Sequence, residues 1–309
     1  MINYERLSKK EPHFHRLTGL SLMEFGQLYD KFYSAWWMDI RRRSPIQGRQ
    51  RNYGGGKKSK LVSLKDKLLF ILVYVRMYPL LFIQGLMFEL SEGKTCLWVH
   101  RLLPILDEAS GYTHKRPVRG EGQSLDEVLE EYPELRELGV LGDGMERPMK
   151  RPQDGEAQKR QYSGKKKRHT KKNIVLSHPQ SKEIVYLGKT HEGSKNDKKC
   201  LDEEDLHCRG GPVPMGLDLG FVGYKGENIK TIMPKKKPKG KELTETEKEQ
   251  NRAFSRIRIR VEHSIGGVKR NRSVADIYRN FKENTDEFFL TIACGLHNLR
   301  VTHRHHMWN

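Results

Sequence analysis

Leu138-Gly139-Val140-Leu141-Gly142-Asp143-Gly144 is the stretch that decides the fold, because it opens the second half of the chain with an apolar run. An apolar run followed by glycine predicts a short buried strand that enters a turn, with Asp143 at the strand's end. Further strands are predicted at 172–177, 183–187, 214–219 and 230–233, and a turn joins the first two of these as an antiparallel hairpin. Helical segments lie between these strands and after them, so we predict a mixed α/β layer.

Glu262 is an acidic residue inside a strongly basic segment, 258–270, which is predicted to be helical. Positions i, i+4 and i+7 share one face of a helix. Arg258, Glu262 and Lys269 are therefore predicted to point to one side, with an apolar stripe beside them. Such a face can hold a metal ion against a phosphate.

Asp218 resembles Asp143 in its setting, because it also follows a predicted strand and precedes a glycine, Gly220. An aspartate after a strand is more often a turn cap than a metal ligand, so each residue alone is weak evidence. Three carboxylates that converge at one sheet edge, Asp143, Asp218 and Glu262, would form a set of hard oxygen ligands. Such a set suits Mg²⁺ or Mn²⁺.

The N-terminal part is predicted to be all helical. After a helix with a capping box from Ser21 to Glu24, three helical blocks follow within about 61–106 and are separated by Pro79 and by a break at 91–93. Two helices around a tight turn predict a helix-turn-helix, whose last helix enters the DNA major groove. Its candidate DNA contacts are Lys94, Thr95, Trp98 and Arg101. An ordinary three-helix bundle is the alternative.

The boundary between two domains is predicted where the charge changes sign. Residues 121–137 contain seven acidic residues and one arginine, which predicts an acidic linker. The predicted domains are therefore a helical domain over 1–120 and a mixed α/β domain over 138–309.

The net charge of +19 and the pI of about 9.7 indicate a polyanionic partner. Nucleic acid is favoured over an anionic membrane, because the basic residues are spread through segments predicted to fold. Residues 147–172 hold eleven Lys or Arg against two acids, and a second basic segment lies at 41–60. Both are predicted to follow a phosphate backbone, and a solubilising loop is the alternative for 147–172. Candidate DNA contacts in this segment are Lys165, Lys166, Lys167, Arg168 and Lys171.

Targeting signals are not visible in the sequence. The first ten residues are polar, and the longest uninterrupted apolar run, 68–75, is too short to span a bilayer. We predict a cytoplasmic protein that has no membrane partner.

The second half of the chain resembles the DDE transposases of the insertion-sequence 5 type, which are related to Harbinger-like nucleases. The resemblance rests on short motifs, and with the helix-turn-helix it covers nearly the whole chain. The motifs lie at 141–152, 162–172, 193–199, 217–223 and 251–269.

This resemblance implies a ribonuclease-H-like fold with Asp143, Asp218 and Glu262 as catalytic metal ligands that hold two Mg²⁺ or Mn²⁺ ions. Arg258, Glu262 and Lys269 match the family signature, whereas Ser255 stands where the family has a tyrosine. Asp197 lies in a recurring stretch of the family and is a rival metal ligand. The favoured role of Asp197 is to cap a helix that begins at 196 or 197.

The function implied is that of a transposase. Such an enzyme binds the terminal repeats of a mobile element as a homo-oligomer, cuts DNA by hydrolysis and joins strands by transesterification. Two alternatives remain at this stage. One is a non-catalytic, sequence-specific DNA-binding protein derived from a transposase, and the other is an RNA-processing nuclease on the same fold, against which the helix-turn-helix argues.

Overall fold

The computed structural model describes residues 1–43, 59–113, 117–119, 125–240, 242–280 and 285–308. The predicted basic loop at 41–60 and the predicted boundary near Gly120 lie largely outside these ranges. The chain divides into two compact units. The helical unit comprises Met1–Arg116 and Lys269–His303, and the sheet unit comprises Pro117–Val268 and Arg304–Asn309.

The described residues form helices in both units. They are α1 (Tyr4–Ser8), α2 (Glu11–Thr18), α3 (Leu22–Arg43), α4 (Leu64–Met77), α5 (Leu81–Phe88), α6 (Glu92–Thr113), α7 (Asp126–Glu131), α8 (Leu135–Leu138), α9 (Gly155–Gln161), α10 (Asp197–Glu204), α11 (Glu245–Val268), α12 (Arg272–Ala275) and α13 (Thr285–Trp308). The strands are β1 (Val118–Arg119), β2 (Val140–Pro148), β3 (Tyr162–Ser163), β4 (Arg168–Ser177), β5 (Ile184–Leu187), β6 (His191–Glu192), β7 (Val213–Gly216) and β8 (Ile229–Ile232).

The helical unit contains the predicted helices and turns. Ser21 and Glu24 form the predicted capping box, in which each side chain accepts the other residue's backbone N–H. The chain turns tightly after α5 and brings the Leu90 carbonyl oxygen close to Gly85 of α5. A Cβ added at Gly85 would lie 2.6 Å from this oxygen. Glycine is therefore required there. Three helices, α4, α5 and α6, with this turn form the predicted helix-turn-helix.

The last helix, α13, belongs to the helical unit rather than to the predicted domain at 138–309. Its Phe289 ring packs edge-on against the Tyr78 ring at 5.5 Å and lies 6.2 Å from the Tyr74 ring of α4. Sequence periodicity shows that α13 has an apolar face but cannot show which core receives that face.

The sheet unit is built on one mixed sheet. Along the sheet the strands follow the order β1-β5-β4-β2-β7-β8, while β3 and β6 pair with other parts of β4. The long β2–β4 pair is antiparallel, as is β4–β5, whereas β2–β7 and β7–β8 are parallel. This mixed sheet with flanking helices is the predicted ribonuclease-H-like arrangement, including the hairpin of β4 and β5.

The structure corrects the prediction of an acidic linker at 121–137. Its described part forms α7 and α8, whose apolar side chains are buried in the core of the sheet unit. The buried side chains are Leu125, Val128, Leu129, Tyr132 and Leu135. Acidic residues cover only the outer face of these short helices, so the average charge of the segment hid its apolar face.

None of the helices in the described part of the chain is long and apolar enough to cross a membrane.

Candidate active site at the edge of the mixed sheet

The two candidate aspartates lie at the same level of two neighbouring parallel strands. The parallel pairing of β2 with β7 places Leu141 opposite Gly216, and Gly216 is the last residue of β7. Asp143 and Asp218 each stand two residues further along the chain. The register therefore brings both carboxylates to the edge of the sheet where β7 ends, a usual place for binding sites on parallel strands.

Asp143 does not stand at a strand end, which corrects the sequence prediction. β2 continues through Gly144 to Pro148 and pairs with β4 along this whole length. Gly144 therefore does not make a turn. Its missing side chain makes room for the Asp197 carboxylate, since an added Cβ would lie 2.7 Å from Asp197 Oδ1.

Asp218 stands in the predicted turn. It precedes the 3₁₀ turn Leu219–Phe221, and its Oδ1 accepts the Gly220 N–H at 2.8 Å. Asp143 Oδ1 similarly accepts the Gly144 N–H at 2.8 Å. Each aspartate thus uses one oxygen for a local hydrogen bond that orients its carboxylate.

Arg258 connects Asp143 with Glu262. Its guanidinium lies 3.7 Å from Asp143 Oδ2 and forms an ion pair with Glu262 on the next turn of α11. About half of the Glu262 side chain is exposed, at 47%, against 19% for Asp143. Arg258 therefore lies between Asp143 and Glu262, whereas the described residues do not gather Asp143, Asp218 and Glu262 into one group that could hold a metal.

Lys269 is placed differently from its prediction. α11 ends at Val268, one residue earlier, and Lys269 belongs to the helical unit. The predicted shared helix face of Glu262 and Lys269 therefore stops short of the lysine. Ser255, which replaces the family's tyrosine, lies exposed on α11.

Asp197 lies beside the candidate site and does not take the predicted capping role. Asn196, not Asp197, caps α10, because its side chain accepts the Lys199 N–H at 2.7 Å. Asp197 Oδ1 instead lies 2.8 Å from the buried Lys172 ammonium. The same ammonium donates to the Lys195 carbonyl at 2.7 Å. A buried lysine needs such partners, since an unpaired ammonium in the interior is costly.

The electrostatics of the site disfavour a further negative charge. Burial raises the pKa of the Asp143 carboxyl from 3.8 to about 6. The nearby carboxylates of Asp218 and Asp197 raise this pKa as well, while the Gly144 N–H and the Arg258 guanidinium lower it. The Arg258 guanidinium therefore does not fully offset burial and the neighbouring carboxylates, and a bound cation would relieve the remaining repulsion.

A divalent metal fits this site in donor type and in charge. Carboxylate oxygens are the ligands that Mg²⁺ prefers, and one or two protein carboxylates are enough for it. Among the described residues, no three His, Cys, Asp or Glu side chains lie close enough together to hold a metal ion between them. Asp143 and Asp218 could thus supply two carboxylate ligands to a divalent metal, and substrate oxygens would complete its coordination.

Three of the four predicted DNA contacts on α6 are buried or half-buried against other protein groups. Thr95 is fully buried and donates to the Ser91 carbonyl at 3.0 Å. Trp98 stacks on Trp36 of α3. Arg101 lies over both indole rings, 4.6 and 5.5 Å from their centroids, and its guanidinium lies 3.7 Å from an Asp39 carboxylate oxygen.

Of this predicted set only Lys94 is exposed. The correction arises because a tryptophan and an arginine suit a packed cation–π cluster as well as they suit a DNA surface. The spacing of three residues from Thr95 to Trp98 and from Trp98 to Arg101 places these side chains near one another on α6, but it does not specify whether they meet DNA or the protein.

The basic segment at 147–172 is folded rather than a structureless loop. It contains α9, β3 and the start of β4, and the turn between β3 and β4 carries exposed cations. These cations are Lys165, Lys166, Lys167 and Arg168. Lys171 lies on β4 beside Glu192 of β6 in the strand pairing.

Comparison with known proteins gives two family matches. Residues 142–298 match the DDE superfamily endonucleases, and residues 59–111 match the helix-turn-helix of DDE superfamily endonucleases. The first match begins at the third residue of β2 and includes Asp143, Asp218 and Glu262.

A similar protein is the probable transposase for insertion sequence element IS702 of Microchaete diplosiphon. It is 27% identical over 267 residues, which cover 86% of this chain and 87% of that protein. No solved structure matches this chain.

Proposed function

The chain belongs to the DDE superfamily of endonucleases and carries their helix-turn-helix, and on this basis we propose that it is a DNA transposase of the insertion-sequence 5 type. It would bind the terminal repeats of its element through the helix-turn-helix and cut and join DNA strands at the sheet edge. Paired element ends would be held by a homo-oligomer. The similarity to a probable transposase over most of both chains supports this proposal.

The observation that carries the proposal is the placement of Asp143 beside Asp218. The two residues are 75 positions apart in the sequence, yet the β2–β7 register brings them to one edge. The pKa of Asp143 is raised by burial and by the neighbouring carboxylates of Asp218 and Asp197. A buried carboxyl with a raised pKa at a sheet edge is typical of functional sites, where burial and neighbouring charges tune the ionisation of an acid.

Asp143 and Asp218 would hold the divalent metal, Mg²⁺ or Mn²⁺, which supplies activation of the attacking oxygen and neutralisation of charge at the scissile phosphate. Glu262 would be the third carboxylate of the set. Arg258 would exchange its contact with Glu262 for a phosphate oxygen, since a guanidinium recognises both groups in the same bidentate manner. The exposed cations between β3 and β4 would hold the DNA backbone without reading its sequence.

The test uses duplexes made from the DNA that flanks the coding sequence of this chain. Wild-type protein should nick or cut them with Mg²⁺, whereas Asp143→Asn, Asp218→Asn or Glu262→Gln should slow cleavage by more than about 1,000-fold. DNA binding should survive in each variant. Asp202→Asn is the matched control, because this aspartate on α10 is paired with Lys198 near the surface and should leave cleavage unchanged.

Cleavage at the wild-type rate by any of the three variants would remove that residue from the catalytic set. The second candidate function, a DNA-binding protein without catalysis, is favoured by one observation, the ion pair of Arg258 with Glu262. It predicts neither nicking nor Mn²⁺ binding by calorimetry. Preference for an RNA or hybrid duplex over DNA would instead indicate an RNA-processing nuclease.

A further inference from the structure

A cleft of about 540 Å³ lies beside the β3–β4 strand pair of the sheet unit. Its lining combines an aromatic ring, a histidine, an amide and two cations. The lining residues are Arg151, Gln158, Lys159, Tyr162 and His169. This combination does not belong to the catalytic edge at Asp143 and Asp218, so it calls for its own explanation.

Tyr162 is the central feature of the cleft. Its side chain stays exposed, with 42% of the residue accessible, although a ring of this size is usually covered. The ring is nevertheless held in place, because Tyr162 is paired with His169 across the strands and meets its ring edge-on at 5.6 Å. A fixed and exposed aromatic face is a platform on which a planar ring can stack.

The cations of the cleft are oriented and accessible. Arg151 donates from Nε to the Gln158 side chain at 2.9 Å, which fixes the guanidinium beside the ring. Lys159 pairs with Glu156 at 2.8 Å, but both side chains are largely exposed. An exposed pair of this kind contributes little, so Lys159 can exchange its partner for a phosphate.

The length of β2 between Asp143 and the cleft can be compared with a length of DNA strand. The backbone N–H of Met149, which follows β2 directly, donates to the His169 carbonyl at 3.0 Å. Five residues of extended strand separate Asp143 from the end of β2 at Pro148, which corresponds to about 17 Å. Stacked nucleotides rise by about 3.4 Å each, so a DNA strand that runs along β2 covers this span with about five nucleotides.

We propose that the cleft binds one unpaired nucleotide of the DNA strand that is held at the catalytic edge. Its base stacks on Tyr162, and its neighbouring phosphates contact Arg151 and Lys159. The inference rests on the proposed function, because it assumes DNA as the substrate. The inference adds that the enzyme opens the duplex about five nucleotides from the cut. Contacts between the basic segment and the DNA backbone would not by themselves require such unpairing.

The experiment measures binding by the full-length protein in the presence of EDTA, so that no cleavage is needed. Two duplexes of 20 base pairs are compared. One carries a single bulged 2-aminopurine, and the other carries an abasic site at the same bulge. Wild-type protein should bind the base-bearing bulge about tenfold more tightly, because only this bulge supplies a ring for stacking.

Three variants separate stacking from charge. Tyr162→Ala should remove the preference, and Tyr162→Phe should keep it, because phenylalanine retains the ring. Lys166→Gln, in the exposed turn between β3 and β4, should weaken binding of both duplexes equally. The exposed position of Tyr162 makes the alanine variant a mild change to the fold.

Equal wild-type affinity for the two duplexes overturns this inference and leaves the proposed function standing. A preference that persists in Tyr162→Ala overturns it as well, since the base would then bind elsewhere. Failure of the wild-type protein to bind any duplex would instead overturn the proposed function, and this inference with it.

Discussion

Replacement of Asp143 by asparagine should stabilise the protein at neutral pH while it abolishes cleavage. Folding raises the pKa of this carboxyl from 3.8 to about 6, chiefly through burial. The folded state therefore holds a proton that the unfolded chain releases between about pH 4 and pH 6. Stability contributed by this group falls as the pH rises through that window, and above it the full cost is present.

The magnitude follows from the size of the pKa shift. Each pKa unit corresponds to about 1.4 kcal/mol, so the charged Asp143 costs the folded state about 3 kcal/mol at pH 7.5. Asparagine keeps a similar shape and carries no charge. In a chain of this length the gain corresponds to a rise in Tm of about 6 °C.

The assay is thermal unfolding followed by circular dichroism, in EDTA, at pH 7.5 and at pH 4. The variant should exceed the wild type in Tm at pH 7.5, and the difference should nearly vanish at pH 4, where the wild-type carboxyl is protonated in the folded state. Millimolar Ca²⁺ at pH 7.5 should also narrow the difference, because the cation stabilises only the charged side chain.

Asp202→Asn serves as the matched control, because Asp202 is half-exposed and its ion pair lies at the surface. Its Tm should change by no more than about 1 °C. The reasoning is refuted if Asp143→Asn is no more stable than the wild type at pH 7.5. It is also refuted if the gain is the same at both pH values, since a gain independent of pH would have another cause.

Four further substitutions, one of them a control, test the packing within the two units, each by urea unfolding with the wild type as reference. Lys172→Met should cost about 3 kcal/mol, because it leaves the Asp197 carboxylate without its buried partner; a loss below about 1 kcal/mol would contradict this role. Gly144→Ala should cost about 1–3 kcal/mol, since its Cβ would lie 2.7 Å from a carboxylate oxygen. Gly155→Ala, where an added Cβ meets nothing, should change stability by less than about 1 kcal/mol. Arg101→Ala should lower stability by about 1–2 kcal/mol through its lost ring contacts, and an unchanged midpoint with weakened DNA binding would restore it as a DNA contact.

Much of the fold was predictable because local patterns repeat along the chain. Alternating and continuous apolar runs predicted β4, β5, β7 and β8 within a few residues, and helical periodicity predicted α3 to α6 and α11. Glycine misled the prediction at Gly144, because glycine serves both for turns and for close approach of a neighbour. The acidic helices α7 and α8 were missed because their apolar faces are short.

The candidate site was only partly predictable. Asp143, Asp218 and Glu262 were chosen from their residue type and local setting, and the family matches cover the segments that hold them. Asp197 was assigned to a helix cap, although Asn196 takes that role. No local signal shows that the Asp197 carboxylate pairs with Lys172, because the two residues lie on separate elements.

The sequence by itself determined the classes of element, the basic character of the chain and the residue types that can bind a metal and DNA. These properties depend on neighbours within a few positions and on total charge. The tertiary structure decided which acids share one edge, how Arg258 divides its contacts, and that Trp98 and Arg101 pack against other protein groups. Such outcomes depend on strand register and on packing between distant segments, which the spacing of residues along one element does not specify.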